Sequence, residues 1–343
     1  MKRLLNTLFV TTQGAYLAKD GDTVAVRIEK QTRLRVPIHT LAQIVCFGNV
    51  SCSPFLMGFC GENNVLLSFL TENGRFLARV HGKVSGNVLL RTQQYRDADN
   101  PKKATTIARA TIMAKISNCR TVINRCLRDR PNATGIADLQ RASAYLSHSL
   151  EVLQQAGNLD LIRGLEGEAA RTYFDIFDNL ISSQKDCFAF TGRNRRPPLD
   201  NVNALLSFVY TLLVHDITAA LETVGLDPAA GFLHALRPGR PSLALDIMEE
   251  FRPFIADRLV LSLINRQQVK PKGFKTTESG AVTMDDDTRK TVLVAWQNRK
   301  KEELTHPFTG EKVNIGLLPH IQAMLLARHI RDELEAYPPF FWK

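Results

Sequence analysis

Roughly the first ninety residues alternate apolar and polar positions with the two-residue period of half-buried strands. The stretch DGDTVAVRIEK (20–30) starts with an Asp-Gly turn and continues as an alternating strand, which predicts a β-hairpin. NVLLSFL (64–70) and NGRFLARVHG (73–82) repeat this pattern around an Asn-Gly turn. Between the hairpins, SPFLMGFCGEN (53–63) predicts one short helix. This part of the chain is therefore predicted to be a small β-rich domain.

The remainder of the chain has the longer apolar period of helices. One predicted helix begins near Pro101, and its apolar residues recur at helical spacing on a single face. These residues are Ile112, Ile116, Cys119, Ile123 and Cys126. Further along, a segment from about Lys270 to Arg289 is rich in Gly, Thr and Asp, and it predicts a loop or hairpin insertion between helices.

The composition turns polar at YRDADNPKK (95–103), just before the helices begin. A polar stretch that contains a proline predicts a linker, and two domains suit a chain of 343 residues with 44% apolar positions. We therefore predict an α+β protein. A small β-rich N-terminal domain is expected at residues 1–92, followed by a larger all-α C-terminal domain at residues 93–343.

The formal charge of +10 and the isoelectric point near 9.4 favour a polyanionic partner, because basic surfaces gain affinity by releasing counterions from phosphates. Nucleic acid fits better than an anionic membrane. The segment from Pro101 to Arg128 has seven Lys or Arg residues and no acidic residue, which favours a helix that lies along a phosphate backbone. The candidate DNA-contacting residues are Arg109, Lys115, Arg193, Arg195, Arg196 and Arg252.

The six cysteines contain no C-x-x-C pair, which indicates neither a zinc knuckle nor a disulfide framework and favours a reducing compartment. The first residues resemble a signal peptide, but Asn6 and Thr7 interrupt the apolar run and no small-residue cleavage site follows. No apolar run reaches about 18 residues, the length needed to span a bilayer. A soluble cytoplasmic protein without a membrane partner is expected.

Two segments of the helical part place single polar residues where they could carry chemistry. RGLEGEAARTYF (163–174) places Glu166 among small residues near the predicted start of a helix. GLDPAAGFLHALRPGRPSLALD (225–246) places His234 about two turns into a predicted short helix that starts with an Asp-Pro pair. Taken singly these signals are weak, because a Glu early in a helix usually complements the helix dipole and such a His usually packs.

A third segment, LALDIMEEFRP (243–253), places Asp246 and Glu249 three residues apart on one helix face. Such a pair is most often solvated, but apolar residues surround Asp246 here, and a buried carboxylate needs a partner. A metal ion would supply it. Arg252, three residues after Glu249, is predicted either to bind a phosphate or to pair with Glu249.

These three segments, in this order, resemble the signature of the CRISPR-associated integrase family Cas1. The resemblance extends through nearly the whole chain to LLPHIQAMLLARHIRDEL (317–334), and the subtype resembles one from a type I system such as subtype I-C. By this resemblance, three residues occupy the family's metal-ligand positions: Glu166, His234 and Glu249. Asp246 matches a second acidic position that supports the site. The family's last ligand is often Asp, and the longer Glu keeps the same chemistry.

The resemblance implies a metal-dependent DNA endonuclease and integrase that inserts captured DNA fragments, the spacers, into a CRISPR array by 3′-OH attack on repeat phosphodiesters. Mg²⁺ or Mn²⁺ is the implied cofactor, because carboxylates and one imidazole suit these ions. The implied partners are DNA and a Cas2 family protein, with a homodimer built through the β-rich domain. The tail AYPPFFWK (336–343) is expected either to dock on a partner or to fold back on its own domain.

Two other classes of function stay open. His215-Asp216 is the adjacent pair of HD-type phosphohydrolases, although the nearest upstream histidine, His148, has no Asp beside it. The charge alone would also support a non-catalytic basic DNA-binding subunit whose carboxylates are structural. Metal-dependent strand transfer distinguishes the integrase from such a subunit.

Overall fold

The computed structural model describes residues 6–72, 74–80, 82, 88–132 and 135–342. The chain divides into two compact units, Met1–Gly86 and Asn87–Lys343. Strands dominate the described part of the first unit and helices dominate the second, so the predicted α+β class is confirmed. The predicted domain boundary at residue 92 falls inside a helix of the second unit.

Two four-stranded sheets, one α-helix and one short 3-10 helix (Ile38–Thr40) make up the described part of the first unit. Its elements are β1 (Asn6–Val10), β2 (Tyr16–Asp20), β3 (Thr23–Ile28), β4 (Gln31–Pro37), β5 (Leu41–Phe47), β6 (Ser51–Cys52), α1 (Pro54–Glu62), β7 (Leu66–Leu70) and β8 (Phe76–Val80). One sheet has the strand order β1-β5-β7-β8 and the other β4-β3-β2-β6. Apolar side chains from both sheets and from α1 form one core, which includes Leu17, Ile44, Leu56 and Leu67.

Both predicted hairpins of the first unit are confirmed. β2 pairs antiparallel with β3, and Asp20 lies opposite Thr23 across the predicted turn. β7 and β8 also pair antiparallel, although Asn73 of their predicted turn and His81 beyond β8 lie outside the described residues. The predicted helix between the hairpins is α1, and the Ser53 hydroxyl caps its start.

Helices form most of the second unit. They are α2 (Val88–Asp99), α3 (Pro101–Asp129), α4 (Ile136–Gln154), α5 (Leu159–Asp175), α6 (Phe177–Leu180), α7 (Asn201–Val224), α8 (Ser242–Phe251), α9 (Arg258–Asn265), α10 (Asp286–Lys301) and α11 (Leu318–Ile330). A π-helical turn, Arg252–Asp257, joins α8 to α9. Short hairpins pair β9 (Phe274–Thr276) with β10 (Val282–Met284) and β11 (Glu303–Thr305) with β12 (Lys312–Asn314). The β9–β10 hairpin confirms the insertion predicted between Lys270 and Arg289.

Helix α3 is packed on several sides by α4, α5 and α8. Its predicted apolar face is confirmed, because all five residues of that face are buried. The packing leaves little of the helix in solvent, and of its seven basic residues only Lys102 and Arg128 are exposed. Lys115 is buried and the other four basic side chains are partly covered, so a phosphate-binding face along α3 stays a prediction.

The predicted linker at residues 95–103 is also wrong, because α2 and α3 meet at Asn100 with no extended segment between them. The polar residues at this junction are partly turned inward. Asp97 is only 4% exposed, and its carboxylate accepts hydrogen bonds from Gln93 at 2.7 Å and from Lys103 at 2.9 Å. Polar composition marks a loop only when the side chains face water, and here they bond to one another.

Helix α7 is long and apolar enough to cross a membrane by length and composition alone. In its most apolar window, however, 72% of the residues are buried inside the protein, as expected for a core helix. Asp200 caps its start, and it ends at Gly225, whose φ of 95° is the left-handed conformation that glycine favours at this position. The helix contributes one wall of the core beside α8 and α11.

Candidate active site

Two glutamates from different helices meet at one lysine ammonium group. Lys115 of α3 forms ion pairs with Glu166 of α5 and with Glu249 of α8, and its Nζ lies 2.7 Å from Glu249 Oε2. Lys115 and Glu249 are 5% and 4% exposed, whereas 28% of the Glu166 side chain faces solvent. The structure therefore brings together carboxylates that lie on separate segments of the sequence.

The charges of this cluster hold one another in the ionised state. Arg252 pairs with the other oxygen of Glu249, Oε1, which is the ion-pair alternative predicted for this arginine. Burial favours the neutral form of Glu249, but Arg252 and Lys115 outweigh burial and hold its pKa well below the ordinary value of a glutamate. Burial likewise tends to lower the pKa of Lys115, yet Glu249 and Glu166 raise it above its ordinary value.

Arg252 also contacts a buried tyrosine that is bonded to an aspartate. The Arg252 guanidinium lies 5.2 Å from the ring centroid of Tyr210, and the Tyr210 hydroxyl donates to Asp257 at 2.6 Å. Burial raises the pKa of Asp257 to about 6, against the opposing effects of Tyr210 and Arg252. Arg252 and Asp257 are the two ends of the π-helical turn, a rare geometry that often occurs at functional sites.

The structure places His234 on a loop, so the predicted short helix is wrong. Residues 226–241, between α7 and α8, form turns and bends. The carboxylate of Asp227 accepts a hydrogen bond from the backbone N–H of Ala229 at 2.8 Å, which closes a tight turn. The Asp-Pro pair therefore starts a turn that does not continue as a helix.

Asp246 holds this loop against α8 through four hydrogen bonds. Its Oδ2 accepts from the backbone N–H groups of Phe232 at 2.6 Å and Leu233 at 3.0 Å. Its Oδ1 accepts from the backbone N–H of His234 at 3.0 Å and lies 2.6 Å from His234 Nδ1. A Cβ at Gly231 would lie 2.7 Å from Oδ2, so only glycine allows this approach. The buried Asp246 thus has its partners in the loop.

Glu166 and Glu249 supply the oxygen donors that a hard divalent cation takes. Glu249 Oε2 is buried and makes no directed hydrogen bond, although Lys115 Nζ is its ion-pair partner. Two carboxylates that already share one cationic group fit such an ion. Across the described ranges, however, no three His, Cys, Asp or Glu side chains are grouped as a metal site. The ligand set that adds His234 to these glutamates stays a prediction.

The surroundings of Glu166 differ from the sequence-based expectation in one respect. Helix α5 begins at Leu159, after the capping side chain of Asn158, so Glu166 lies two turns inside the helix and not near its start. A Cβ at Gly164 or at Gly167 would have no neighbour within 4 Å. Gly164 and Gly167 are exposed, so these small residues leave open space at the surface of α5.

Three of the predicted DNA-contacting residues are engaged inside the protein. Lys115 is a buried ion-pair partner of both glutamates, and Arg252, whose side chain is 18% exposed, pairs with Glu249. In this arrangement the Lys115 ammonium faces carboxylates, and its contact with DNA stays a prediction. Arg193 donates to the side-chain oxygen of Asn203 at 2.6 Å, and its guanidinium lies 5.2 Å from the Tyr210 ring centroid. The side chains of these three residues therefore bond to groups of the protein itself.

The other predicted DNA-contacting residues are more accessible. Arg109 is partly exposed and donates to the carbonyl oxygen of Ala156 at 3.1 Å. Arg195 and Arg196 are exposed in the loop before α7. These two arginines remain the strongest candidates for phosphate contacts.

The adjacent pair His215-Asp216 does not support the HD-type alternative. Asp216 Oδ2 lies 2.8 Å from Lys300 Nζ, and both side chains are nearly buried. An ammonium group thus neutralises the aspartate in the core. The part of the chain that the structure describes contains no group of three or more metal-ligating side chains around it.

Lys115 is the residue whose role the sequence analysis missed. It lies three residues after Ile112 and four before Cys119, so it shares the buried face of α3. A lone lysine in an apolar stripe, within a segment that lacks acidic residues, indicates carboxylate partners on other helices. That signal was present in the sequence.

The C-terminal tail folds back on the second unit, which is one of its two predicted arrangements. The buried Glu250 accepts hydrogen bonds from the Tyr337 hydroxyl at 2.6 Å, the Phe340 N–H at 2.8 Å and the Gln322 side chain at 3.0 Å. Two guanidinium groups lie 4.4 and 5.0 Å from the ring centroid of Trp342. The tail therefore contacts α8 at the residue that follows Glu249.

The tail contact gives a prediction for the pH dependence of stability. Burial raises the pKa of Glu250 from 4.5 to about 7, although its three hydrogen-bond donors oppose the shift. The folded protein therefore retains a proton that the unfolded chain releases above pH 4.5, and the stability from this group is lost as the pH rises through 7. The loss is on the order of 3 kcal/mol.

Thermal unfolding between about pH 5 and pH 8 tests this dependence. We expect the melting temperature of the wild type to fall more steeply across this window than that of Glu250→Gln, whose side chain does not titrate. Asp257 titrates in both proteins, so the difference between the two curves isolates Glu250. Parallel curves would show that Glu250 stays ionised in the fold.

The chain combines a β-rich unit with a helical unit, and in the helical unit two glutamates from different helices, one buried and one partly exposed, meet at one site. These features define a class of two-part proteins with an acidic site in the helical part. Residues 8–298 match the family model of the CRISPR associated protein Cas1, and the chain belongs to this family. It is 57% identical over 343 residues, covering 100% of both chains, to the CRISPR-associated endonuclease Cas1 1 of Chlorobaculum tepidum.

Solved structures share the fold over nearly the whole chain. A casposase bound to its integration product is similar with a TM-score of 0.84 and 22% identity, covering 99% of this chain and 95% of that chain. A Cas6-RT-Cas1–Cas2 complex is similar with a TM-score of 0.83 and 22% identity, covering 100% of this chain and 36% of that chain. At this level of identity the likeness establishes the fold.

Proposed function

We propose that this chain is a metal-dependent DNA endonuclease and integrase of CRISPR adaptation, which inserts captured spacers into a CRISPR array. The convergence of Glu166 and Glu249 on one cationic group is the observation that carries the proposal. Membership of the Cas1 family and the high identity to a relative named as an endonuclease support it. The casposase with its integration product shares the fold, which is consistent with strand-transfer chemistry.

The proposed reaction is a transesterification at a phosphodiester of the CRISPR repeat. The 3′-OH of the captured fragment attacks the phosphorus, and a new P–O bond forms as the bond to the 3′ oxygen of the repeat strand breaks. The attacking hydroxyl loses its proton and the leaving oxygen gains one. Because one phosphodiester bond replaces another, the reaction needs no covalent bond between protein and DNA.

Mg²⁺ or Mn²⁺ held by Glu166 and Glu249 would stabilise charge on the phosphoryl oxygens and favour deprotonation of the attacking hydroxyl. The side chains of the chain would bind the ion and orient it relative to the DNA. Glu166 is the more accessible of the two carboxylates, with 28% of its side chain exposed, while Glu249 is buried. His234 is the proposed third ligand. With Nδ1 bound to Asp246, its Nε2 is left for binding.

DNA and a Cas2 family protein are the proposed partners. The charge of +10 supports the first, and the Cas1–Cas2 complex of similar fold supports the second. We extend the proposal to a homodimer built through the β-rich unit, acting in the cytoplasm. Because the C-terminal tail is bonded to Glu250, we propose that other parts of the chain contact the partner protein.

An integration assay tests the proposed function. The chain is incubated with its cognate Cas2 protein, a plasmid that carries the repeat, Mn²⁺ and a labelled fragment ending in a 3′-OH. We expect label in the plasmid, and none with a 3′-dideoxy fragment or with EDTA, because the reaction needs both the hydroxyl and the ion. DNA binding without any transfer would instead support the non-catalytic DNA-binding subunit.

The charge also predicts how DNA binding depends on salt. We expect a plot of log affinity against log salt concentration to have a slope of about −4 or steeper, which corresponds to five or so neutralised phosphates. Replacing both Arg195 and Arg196 by Ala should make the slope shallower by about one to two. Arg141→Ala is a matched control, because this exposed arginine already pairs with Asp138. A flat salt dependence would contradict a phosphate-binding surface.

A further inference from the structure

In the cluster of Lys115, Glu166, Glu249 and Arg252, the positive side chains balance the charge of the two carboxylates. The lysine pairs with both glutamates, and Arg252 pairs with Glu249. Two positive and two negative groups give a formal charge of zero. A divalent cation that approaches these carboxylates therefore meets oxygens whose charge is already neutralised from within.

An incoming cation and the Lys115 ammonium compete for the same oxygens. Glu249 is 4% exposed, and each of its oxygens faces a positive group, Oε2 towards Lys115 and Oε1 towards Arg252. A cation that binds Glu249 must displace one of these groups, since like charges in contact repel strongly at a buried site.

The structure indicates which of the two positive groups moves. Arg252 is fixed by its contact with the Tyr210 ring and by the π-helical turn in which it lies. Lys115 ends a flexible four-carbon stem, and its other partner, Glu166, is partly exposed to solvent. Withdrawal of Lys115 also frees both glutamates at once, whereas withdrawal of Arg252 frees only one.

We propose, on the basis of the metal site proposed above, that Lys115 is a positioning residue, an internal counter-ion that the metal displaces. In the metal-free protein it holds Glu166 of α5 and Glu249 of α8 together against their mutual repulsion. This keeps the two helices in register and keeps metal affinity low. When the divalent cation binds, it takes the shared position between the carboxylates and Lys115 leaves it.

Mn²⁺ binding to the DNA-free full-length chain tests the proposal by calorimetry. Lys115→Met keeps the length of the side chain and removes the charge, and we expect it to bind Mn²⁺ about tenfold more tightly than the wild type because the competing cation is gone. In EDTA its melting temperature should fall, and Mn²⁺ should restore it. Lys103→Met is the matched control, since Lys103 lies on the same helix and pairs with Asp97 at 2.9 Å. It should bind Mn²⁺ as the wild type does.

A second measurement uses the wild type, so it does not depend on the folding of a variant. Amine-reactive labelling of Lys115, followed by mass spectrometry, should be slow without metal because the ammonium is buried and paired. Mn²⁺ should increase the labelling of Lys115 and leave that of Lys103 unchanged. Labelling that stays constant or decreases with Mn²⁺ would overturn the displacement.

Two outcomes separate this proposal from the proposed function. If Glu249→Gln leaves Mn²⁺ binding by the chain unchanged, the metal does not bind at these glutamates, and the metal site itself is wrong. If Glu249→Gln removes Mn²⁺ binding but Lys115→Met binds no more tightly than the wild type, the metal site stands and the counter-ion role of Lys115 is wrong.

Discussion

Replacing Glu249 or Glu166 by Gln is expected to reduce strand transfer by about 10³-fold or more, while DNA affinity stays within about twofold of the wild type. Each substitution removes a carboxylate from the pair that would hold the divalent ion, and the ion supplies several kcal/mol of transition-state stabilisation. DNA binding depends on surface arginines and lysines that these substitutions do not touch. Strand transfer is measured in the integration assay and DNA affinity by fluorescence anisotropy.

Glu168→Gln is the matched control for this prediction. Glu168 lies two residues after Glu166 on α5, but it is exposed and accepts a hydrogen bond from the Tyr145 hydroxyl at 2.9 Å. It should keep full activity, because it faces away from the cluster. His234→Ala is expected to abolish strand transfer as well, since His234 is the proposed third ligand. Full activity in any of the three ligand variants would remove that residue from the site.

Much of the fold followed from periodicity. The two-residue period predicted the paired strands of the first unit, and the helical period predicted the buried face of α3. Local pattern failed at the junction of α2 and α3, where a polar stretch suggested a linker. There Asp97 is buried and bonded to Gln93 and Lys103, and such tertiary partners cannot be read from composition.

The candidate site was predictable only in part. Spacing placed Asp246 and Glu249 on one face, but the choice of Glu166 as their partner came from the resemblance to the Cas1 family. The structure brings Glu166 and Glu249 to the same cation and leaves His234 outside any three-ligand group in the described residues. The role of Lys115 depends on three helices meeting, so a single helix pattern could suggest a buried partner but not identify it.

The loop that carries His234 shows why its conformation could not be predicted from the local sequence. An Asp-Pro pair is typical of a helix start, yet here the carbonyl of Pro228 accepts a hydrogen bond from the N–H of Leu243 in α8 at 2.9 Å. The same loop offers three consecutive N–H groups to Asp246. Contacts to another segment thus replace the bonds that a local helix would have made.

These contacts define the role of Asp246. Both of its oxygens are occupied by loop donors, so it orients His234 and does not itself reach into the carboxylate pair. Because the aspartate accepts from Nδ1, that nitrogen carries the proton and Nε2 presents its lone pair. Glu249, one turn later on the same helix, faces Lys115 instead. Two acidic residues on one helix face therefore have different tasks.

Asp246→Asn is accordingly expected to lower strand transfer by about 10 to 100-fold and to recover partly at high Mn²⁺, whereas Glu249→Gln should not recover. The Asn amide can accept for one pair of donors only, and its NH₂ would face the others, which disturbs the loop and the protonation of His234. Activity is measured across a Mn²⁺ titration, with Mn²⁺ affinity measured in parallel. In a His234→Ala background, Asp246→Asn should change Mn²⁺ affinity little, because Asp246 acts through the histidine. Equal loss of activity in Asp246→Asn and Glu249→Gln at every Mn²⁺ concentration would make Asp246 a direct ligand.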